Sequence, residues 1–410
     1  MQEAIRHTTR PRKPNPTTRL ILHEKPGAES PGFFLFIPYF FATLPALSDF
    51  PLKDTIMPAI RSRLSALCLL ICAVCLAPAQ AKDAHALEQA ASELAKTGFQ
   101  GAIVAARGDK LIYQTTLGDF GDINRSFRYA SLTKEMTAIL IMQEVDAGKL
   151  QLDHPLEEYW PDYPNAQARK ATLRQLMMHY SGLYNDNAQP AFHMMDKRSG
   201  DNMQAFATGL CAGPVNSAPG TRFDYNNCDY MVLGALLEKT TQKPFAQLLK
   251  ERIFAVSGMT HSGLYDAAMP DNPAHAHGIL NGQPEPSVNF ASYGAAGSSY
   301  GTLQDLLAFD RAFIKGKLIS AAARKEMTRP NTIGGALGVW VYPFTGTDAA
   351  KPVMIVERQG WIAGVRILNL VDLQNGNILI LVSLNGDLDM AQTWNNQGPA
   401  AGLLKALLLY

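Results

Sequence analysis

A serine and a lysine stand three positions apart in the segment Ser131-Leu132-Thr133-Lys134. In an α-helix, residues i and i+3 share one face, so the lysine amine would lie beside the serine hydroxyl. An amine that is buried among apolar groups can act as the base that activates a serine nucleophile. A serine that caps a helix, followed by a solvated lysine, gives the same pattern. The four residues alone therefore leave a catalytic pair and a plain helix start both open.

A tyrosine and an asparagine lie two positions apart in Tyr225-Asn226-Asn227, shortly after the turn-forming pair Pro219-Gly220. On an irregular loop, this spacing can direct both polar side chains into one cleft. Asparagine is also common where a chain turns or where a helix begins. A binding site and an ordinary loop are both open here, and a helix is predicted to follow from Met231.

The elements that would position these residues follow from the apolar pattern. Helical spacing predicts helices at 84–97, 132–147, 231–239, 245–254, 302–313 and 401–409. Alternating and β-branched residues predict strands at 103–106, 111–115, 336–342, 353–357, 366–372 and 378–384. Gly108-Asp109 and Asn375-Gly376 are typical hairpin turns between pairs of these strands.

Strands near both ends with helices between them predict an α+β fold, an α/β sandwich. We expect an antiparallel sheet flanked by the terminal helices, with a mainly helical lobe inserted. The chain has 410 residues, 47% hydrophobic and 18% charged, which suits a large buried core and excludes a disordered, collagen-like or coiled-coil protein. Its formal net charge of +1 gives no sign of nucleic-acid binding.

The chain resembles the serine β-lactamase and penicillin-binding-protein superfamily, in particular the branch with class C β-lactamases, esterases and D-aminopeptidases. The similarity covers nearly all of residues 84–410. The matching segments are Phe127–Lys134, Leu152–Leu156, Thr172–Leu183, Pro219–Leu233, Phe254–Thr260 and Gly294–Phe309. The resemblance implies a β-lactamase/transpeptidase-like fold and a serine hydrolase that forms an acyl-enzyme without a metal or cofactor.

The same resemblance assigns roles to single residues. Ser131 would be the nucleophile, and Lys134 would help to remove its proton. Tyr225 would share the base role and later activate the water that releases the acyl group. Asn227 would hydrogen-bond the substrate, and the backbone N–H groups of Ser131 and Trp361 would form the oxyanion hole.

The family's third motif is K-T-G or H-x-G on an edge strand, and it corresponds here to Glu357–Gly364. Gly360 is retained, but Arg358 stands in place of the lysine or histidine. Arginine keeps a fixed positive charge and does not pass on a proton. We therefore expect Arg358 to bind a substrate carboxylate and the pH dependence to be set by Lys134 and Tyr225. A surface arginine on an edge strand is the alternative.

The first 81 residues predict a targeting segment. Residues 57–81 have two arginines, an apolar run and the exit Ala79-Gln80-Ala81, which is the layout of a secretory signal peptide that begins at Met57. Residues 1–56 would then be an over-long N-terminal extension, and 82–410 the hydrolase domain. We expect a periplasmic or secreted protein with no membrane span after cleavage. An N-terminal membrane anchor is the alternative.

Three of the five cysteines, Cys68, Cys72 and Cys75, lie in this predicted signal. Cys211 and Cys228 remain in the predicted mature chain. In an oxidising compartment they could form a disulfide that closes a loop of about 17 residues. Two free buried thiols are the equal alternative.

Two other patterns could indicate chemistry, and the sequence argues against both. Residues 297–301 fit the G-x-S-x-G nucleophile elbow, but that fold needs a histidine after the serine, and the last histidine is His277. His275 and His277 could begin a metal site, but no third ligand has suitable spacing, so exposed loop histidines are expected. His179 is expected to hold the loop at Ser181-Gly182.

The sequence thus predicts an exported serine hydrolase that acts on a small-molecule or peptidoglycan-derived ester or amide. An esterase or a D-amino-acid peptidase or carboxypeptidase fits best, and Arg358 makes β-lactam hydrolysis the least favoured activity. The alternative from another class is a non-hydrolytic penicillin-binding-like protein that holds a peptidoglycan-type ligand. No oligomeric state follows from the sequence.

Overall fold

The computed structural model describes residues 84–185, 193, 203–266 and 275–409. The predicted signal peptide at 57–81 and the extension at 1–56 lie outside the described residues. Among the described residues, no helix combines the length and the apolar character that crossing a bilayer requires.

The longer helices alternate with short ones along the chain. They are residues 84–95 (α1), Leu132–Asp146 (α2), Leu156–Tyr159 (α3), Leu173–Met177 (α4), Met203–Thr208 (α5), Asn227–Thr241 (α6), Phe245–Leu249 (α7), Ala255–Ser257 (α8), Gly294–Gly297 (α9), Leu303–Ile314 (α10), Ala321–Met327 (α11) and Ala401–Leu409 (α12). A π-helical turn, Lys250–Phe254, joins α7 to α8.

The strands fall into one large sheet and two small ones. They are Gly101–Arg107 (β1), Lys110–Leu117 (β2), Phe127–Arg128 (β3), Gly263–Leu264 (β4), Ile279–Leu280 (β5), Gln283–Pro284 (β6), Ser299–Gly301 (β7), Trp340–Phe344 (β8), Val353–Ile362 (β9), Val365–Asp372 (β10) and Asn377–Ser383 (β11). The small sheets are β3-β7-β4 and the hairpin β5-β6.

Six strands form the large sheet, in the order β2-β1-β11-β10-β9-β8, and every neighbouring pair is antiparallel. The first long strand therefore lies beside the last, with Gly101 opposite Ser383. The predicted hairpin turns at 108–109 and 375–376 both connect neighbouring strands of this sheet.

Successive side chains of each central strand point to opposite faces, and both faces are apolar. On one face, Leu379 and Leu381 of β11 pack in a cluster with residues of the terminal helices α1 and α12. On the other face, Ile378 and Ile380 belong to the large core of the helical lobe, which includes α2, α6 and α10. The predicted arrangement, a sheet flanked by terminal helices with an inserted helical lobe, is confirmed.

Two elements differ from the prediction in ways that matter for the site. Helix α6 begins at Asn227 instead of Met231, because the side chain of Asn226 caps it by accepting a hydrogen bond from the N–H of Cys228. Strand β9 continues to Ile362 instead of ending at Glu357. The extra residues pair with β10, which the sequence pattern of β9 alone does not reveal.

Cys211 and Cys228 form a disulfide across a sequence separation of 17 residues. Both are fully buried, and Cys228 lies in the first turn of α6. Of the two alternatives that the sequence left open, the structure therefore has the bonded one. The bond ties the start of α6 to the preceding segment.

Candidate active site

Ser131 lies at the start of α2, directly after a residue with unusual backbone geometry. Ala130 has φ 50°, in the left-handed region that side chains other than glycine rarely adopt. The side chain of Ser131 makes no capping hydrogen bond to the helix. The helix-cap alternative is therefore excluded, and the hydroxyl is directed elsewhere.

Ser131 Oγ is contacted by both of the candidate base groups. Lys134 Nζ donates to it over 3.2 Å, and the hydroxyl of Tyr225 donates to it over 2.8 Å. Lys134 comes from the same face of α2, and Tyr225 comes from the loop before α6. The two sequence motifs thus meet at one oxygen atom.

Lys134 is fully buried, which excludes the solvated lysine of the alternative reading. Besides Ser131, its amine donates to Asn227 Oδ1 and to the carbonyl oxygen of Ala296, both over 2.8 Å. Oxygen acceptors thus surround the N–H donors of its ammonium group. Asn227, expected to contact the substrate, thus directs its side-chain oxygen to Lys134.

The environment of Tyr225 changes the acidity of its phenol. Burial alone would raise the pKa, but the positive charges of Lys134 and Arg358 and the hydrogen bond with Ser131 outweigh it and lower the pKa to about 8. A phenol with this pKa is partly ionised near neutral pH, which suits a general base.

Arg358 is the second cation of this group, and only 4% of it is exposed, which excludes a surface arginine. Its Nε donates to the carbonyl oxygen of Ser131 over 2.8 Å, and its Nη2 donates to the hydroxyl of Tyr225 over 3.0 Å. We expected the guanidinium to bind a substrate carboxylate, but in the structure it contacts the protein's own Ser131 and Tyr225. Although arginine does not itself titrate near neutral pH, its charge helps to lower the pKa of Tyr225, so Arg358 acts on the pH dependence through that residue.

Gly360 allows β9 to approach the segment that carries Ser131. A Cβ atom at this position would lie 2.4 Å from the carbonyl oxygen of Tyr129 and 3.3 Å from the Cβ of Ala130. The first distance is far shorter than any normal contact, so only glycine fits without a shift of the backbone. The edge strand β8 pairs with β9 only as far as Glu357, so Gly360 lies beyond that pairing.

Trp361 follows Gly360 on β9, and 53% of it is exposed. Its indole N–H donates to the carbonyl oxygen of Ala363 over 2.7 Å, and the guanidinium of Arg366 lies 4.0 Å from its ring. These contacts fix the side chain at the rim of the cleft. Because Gly360 lies so close to Tyr129, the backbone of the next residue, Trp361, lies near the segment that carries Ser131.

A buried ion pair that the sequence analysis missed holds the end of β9. Arg128 and Glu285 form a salt bridge, and both side chains are almost fully buried. Arg128 Nε donates to the carbonyl oxygen of Ile362 over 3.0 Å, and the N–H of Gly364 donates to Glu285 over 2.7 Å. The pair thus clamps both sides of the β9–β10 turn, directly after Trp361. Arg128 belongs to the quoted segment Phe127–Lys134, but its partner comes from a distant hairpin that no local signal marks.

His179 holds the neighbouring loop, as the sequence predicted. Its Nδ1 lies 3.0 Å from Asp229 Oδ2, and the hydroxyl of Ser181 donates to the other oxygen of the same carboxylate. Burial, together with the nearby charges of Lys134 and Arg358, holds the pKa of His179 well below its usual range. The ring lies against Tyr225, with 4.5 Å between ring centroids.

The serine of the G-x-S-x-G pattern is structural. Ser299 is fully buried on β7, and its Oγ lies 2.7 Å from Oγ1 of Thr133 in α2. It has no exposed turn, which a nucleophile elbow requires.

The histidines considered for a metal site lie elsewhere. His275 is buried, so the expectation of an exposed residue is wrong, and its Nδ1 lies 2.6 Å from the hydroxyl of Tyr265. His277 Nδ1 lies 3.2 Å from a carboxylate oxygen of Glu285. Within the described part of the chain, no group of three or more His, Cys, Asp or Glu residues is arranged to hold a metal ion.

A cavity of about 920 Å³ opens beside these groups. Ser131, Tyr225, Arg358 and Trp361 line it together with several apolar side chains from β8, β9 and the loop before β8. Its volume lies in the range of small-molecule sites. The hydroxyl of Ser131, the phenol of Tyr225 and the guanidinium of Arg358 thus face a space large enough for a substrate.

Comparisons of the sequence with a family model and with known proteins all indicate the same family. The family model named Beta-lactamase matches residues 87–393. The putative penicillin-binding protein PbpX of Bacillus subtilis is 26% identical over 330 residues, which cover 74% of this chain and 75% of that protein. Esterase EstB of Burkholderia gladioli is 28% identical over 204 residues, which cover 45% of this chain and 51% of that protein.

Solved structures show the same fold at lower identity. The D-amino acid amidase of Ochrobactrum anthropi SV3, in complex with L-phenylalanine amide, superposes with a TM-score of 0.65 and 20% identity over 79% of this chain and 98% of the amidase. A penicillin-binding protein of Bacillus halodurans superposes with a TM-score of 0.63 and 21% identity, over 78% of this chain and 99% of that protein. Since the family model spans most of the described residues, the chain belongs to the beta-lactamase family of serine hydrolases.

Proposed function

We propose that this protein is an exported hydrolase that cleaves a small-molecule ester or amide through an acyl-enzyme on Ser131. The observation that carries the proposal is the pair of contacts to Ser131 Oγ, 2.8 Å from the hydroxyl of Tyr225 and 3.2 Å from Nζ of Lys134. A nucleophile within hydrogen-bond reach of its base is the geometry that covalent catalysis needs.

In the first step, the ionised form of Tyr225 accepts the proton of Ser131 while Oγ forms a bond to the substrate carbonyl carbon. Lys134 and Arg358 stabilise the phenolate before this transfer, since both cations lie close to it. The carbonyl π electrons move to the oxygen, and this oxyanion then expels the alcohol or amine, which takes the proton from Tyr225. In the second step, water attacks the carbonyl carbon of the acyl-enzyme while Tyr225 accepts a proton from it. Ser131 Oγ then leaves, takes this proton from Tyr225, and the acid is released.

We assign the oxyanion hole to the backbone N–H groups of Ser131 and Trp361. The close approach of Gly360 to Tyr129 supports this assignment, because it brings β9 beside the start of α2. Asn227 acts mainly by orienting Lys134, to which it is hydrogen-bonded over 2.8 Å. Removing one oxyanion donor typically costs about 100- to 1,000-fold in kcat.

We also propose that residues 57–81 direct export, that residues 1–56 are not part of the working protein, and that residues 82–410 form the periplasmic or secreted enzyme. The disulfide between Cys211 and Cys228 supports this, because such bonds persist mainly in oxidising compartments.

Covalent labelling tests the proposal. Purified protein is treated with a fluorophosphonate probe and, separately, with a p-nitrophenyl ester, and the labelled peptide is identified by mass spectrometry. We expect the label on the peptide of Ser131, none in Ser131→Ala, and retained labelling in the matched control Ser299→Ala. Label on Ser299 would contradict the proposal. Acylation of Ser131 without any turnover would favour a non-hydrolytic penicillin-binding-like protein.

A further inference from the structure

The cavity beside Ser131 has an unusually apolar wall on one side. Four of the seven large apolar side chains that are exposed in the described part of the chain line this one cavity, namely Ile333, Met354, Trp361 and Trp394. Three of the four tryptophans of the chain also line it. Exposed apolar side chains scattered singly are ordinary, but a cluster in one concave surface marks a binding site.

The wall continues outward from the reactive centre. Phe223 lies two residues before Tyr225, and its ring packs edge-on against Trp340 at the start of β8, with 5.7 Å between ring centroids. Further along β8 and β9, Met354 lies opposite Pro343. We call the surface formed by Phe223, Ile333, Trp340, Met354 and Trp394 the aromatic groove.

Two anchors hold the outer members of the aromatic groove in place. The hydroxyl of Thr393, the residue before Trp394, donates a hydrogen bond of 2.9 Å to the carboxylate of Glu357. The loop that carries Ile333 is closed by a backbone hydrogen bond of 2.7 Å from the N–H of Val341 to Gly334. The groove is therefore built by the fold and is continuous with the position of the nucleophile.

The charged groups that line the cavity within the described residues are Glu357 and Arg358, and both are directed to the protein. Arg358 donates to the carbonyl oxygen of Ser131 and to the hydroxyl of Tyr225. Glu357 is 2% exposed and accepts hydrogen bonds from Tyr342 and Thr393. A carboxylate on the substrate would have to compete with Ser131 and Tyr225 for the guanidinium of Arg358.

We propose that the substrate is a neutral ester or amide with a large apolar group, an alkyl chain or an aromatic ring, that lies in the aromatic groove while its carbonyl carbon is at Ser131. This inference rests on the proposed function and adds the class of substrate. The aliphatic side chains Ile333 and Met354 offer no hydrogen bond, so these positions suit hydrocarbon better than a polar group. Each methylene that leaves water there raises kcat/KM by about two- to fourfold.

The test uses two ester series and one matched charge pair. The acyl series is p-nitrophenyl acetate, butyrate and octanoate, and the alcohol series is methyl, phenyl and naphthyl acetate. The charge pair compares p-nitrophenyl octanoate with an ester of similar length that ends in a carboxylate. The variants Ile333→Asp and Met354→Asp place a charge in the groove. Leu111→Asp is the control, since Leu111 is similarly exposed, at 40% against 45% for Met354, but lies on β2 at the opposite edge of the sheet.

We expect kcat/KM to rise at least tenfold along one of the two series and to fall when the terminal carboxylate is added. We expect each groove variant to reduce the ratio between the largest and the smallest ester at least fivefold, and Leu111→Asp to keep that ratio. A flat profile in both series, a rise that survives both groove variants, or a preference for a peptide ending in D-alanyl-D-alanine over every apolar ester would overturn the inference. If no ester is cleaved and Ser131 is not acylated, the proposed function fails, and the inference fails with it.

Discussion

The guanidinium of Arg358 donates a hydrogen bond of 3.0 Å to the hydroxyl of Tyr225, and the same hydroxyl lies 2.8 Å from Ser131 Oγ. The arginine at the position of the family's lysine or histidine is thus connected to Ser131 through Tyr225. The positive charge of Arg358 thereby lowers the pKa of the Tyr225 hydroxyl.

The first prediction concerns this charge. Arg358→Gln removes a cation that lowers the pKa of Tyr225, so that pKa should rise from about 8. Because the ionised phenol is the proposed base, the ascending limb of the pH profile of kcat/KM should move to higher pH, by roughly one unit or more. Arg358→Lys keeps a positive charge and should leave the limb closer to its original position. An unchanged profile in Arg358→Gln would show that Tyr225 is not the titrating base.

The second prediction concerns the close approach of β9 to the nucleophile. Gly360→Ala places a methyl group 2.4 Å from the carbonyl oxygen of Tyr129 and pushes the strand away. A displacement of about 1 Å costs roughly 100-fold in rate, so kcat/KM should fall by about that factor. The control is Gly402→Ala on α12, where the added Cβ has no neighbour within 4 Å. It should keep full activity and gain about 0.5–1 kcal/mol of stability. Full activity in Gly360→Ala would contradict the assignment of the oxyanion hole.

The third prediction concerns the disulfide. Mass spectrometry of unreduced protein should show the peptides of Cys211 and Cys228 linked, and two thiols that react with an alkylating reagent in native protein would refute it. The double variant Cys211→Ala/Cys228→Ala should lose about 3 kcal/mol of unfolding free energy in denaturant titrations, since a loop of 17 residues is no longer closed.

The fourth prediction concerns processing. The segment Met57–Ala81 has the complete layout of a signal peptide, so exported protein should begin close to Lys82. N-terminal sequencing of protein from the periplasm or the medium measures this directly. A product that still begins at Met1 would argue against both cleavage and an over-long start.

The sequence predicted those features whose signal is local. Periodicity and the turn-forming pairs predicted the two hairpins of the sheet, and periodicity predicted helix α2. A contact between Ser131 and Lys134 was one of two readings that their spacing left open, and the family resemblance favoured it. The partners of Arg358 could not be predicted, because they come from α2 and from the loop before α6, far away in the chain. The ion pair of Arg128 with Glu285 and the burial of His275 could not be predicted either, because both depend on residues that are distant in the sequence.

The pairing of the first long strand with the last has a consequence for the order of events during synthesis. Since Gly101 lies opposite Ser383, β1 has no inner neighbour until nearly the whole chain has been made. Ser131 is made early and β9 late, so a growing chain contains this serine long before the strand that packs beside it. Contacts this distant in sequence form slowly. The sheet, and with it the arrangement of Ser131 beside β9, is therefore completed only when nearly the whole chain has been made.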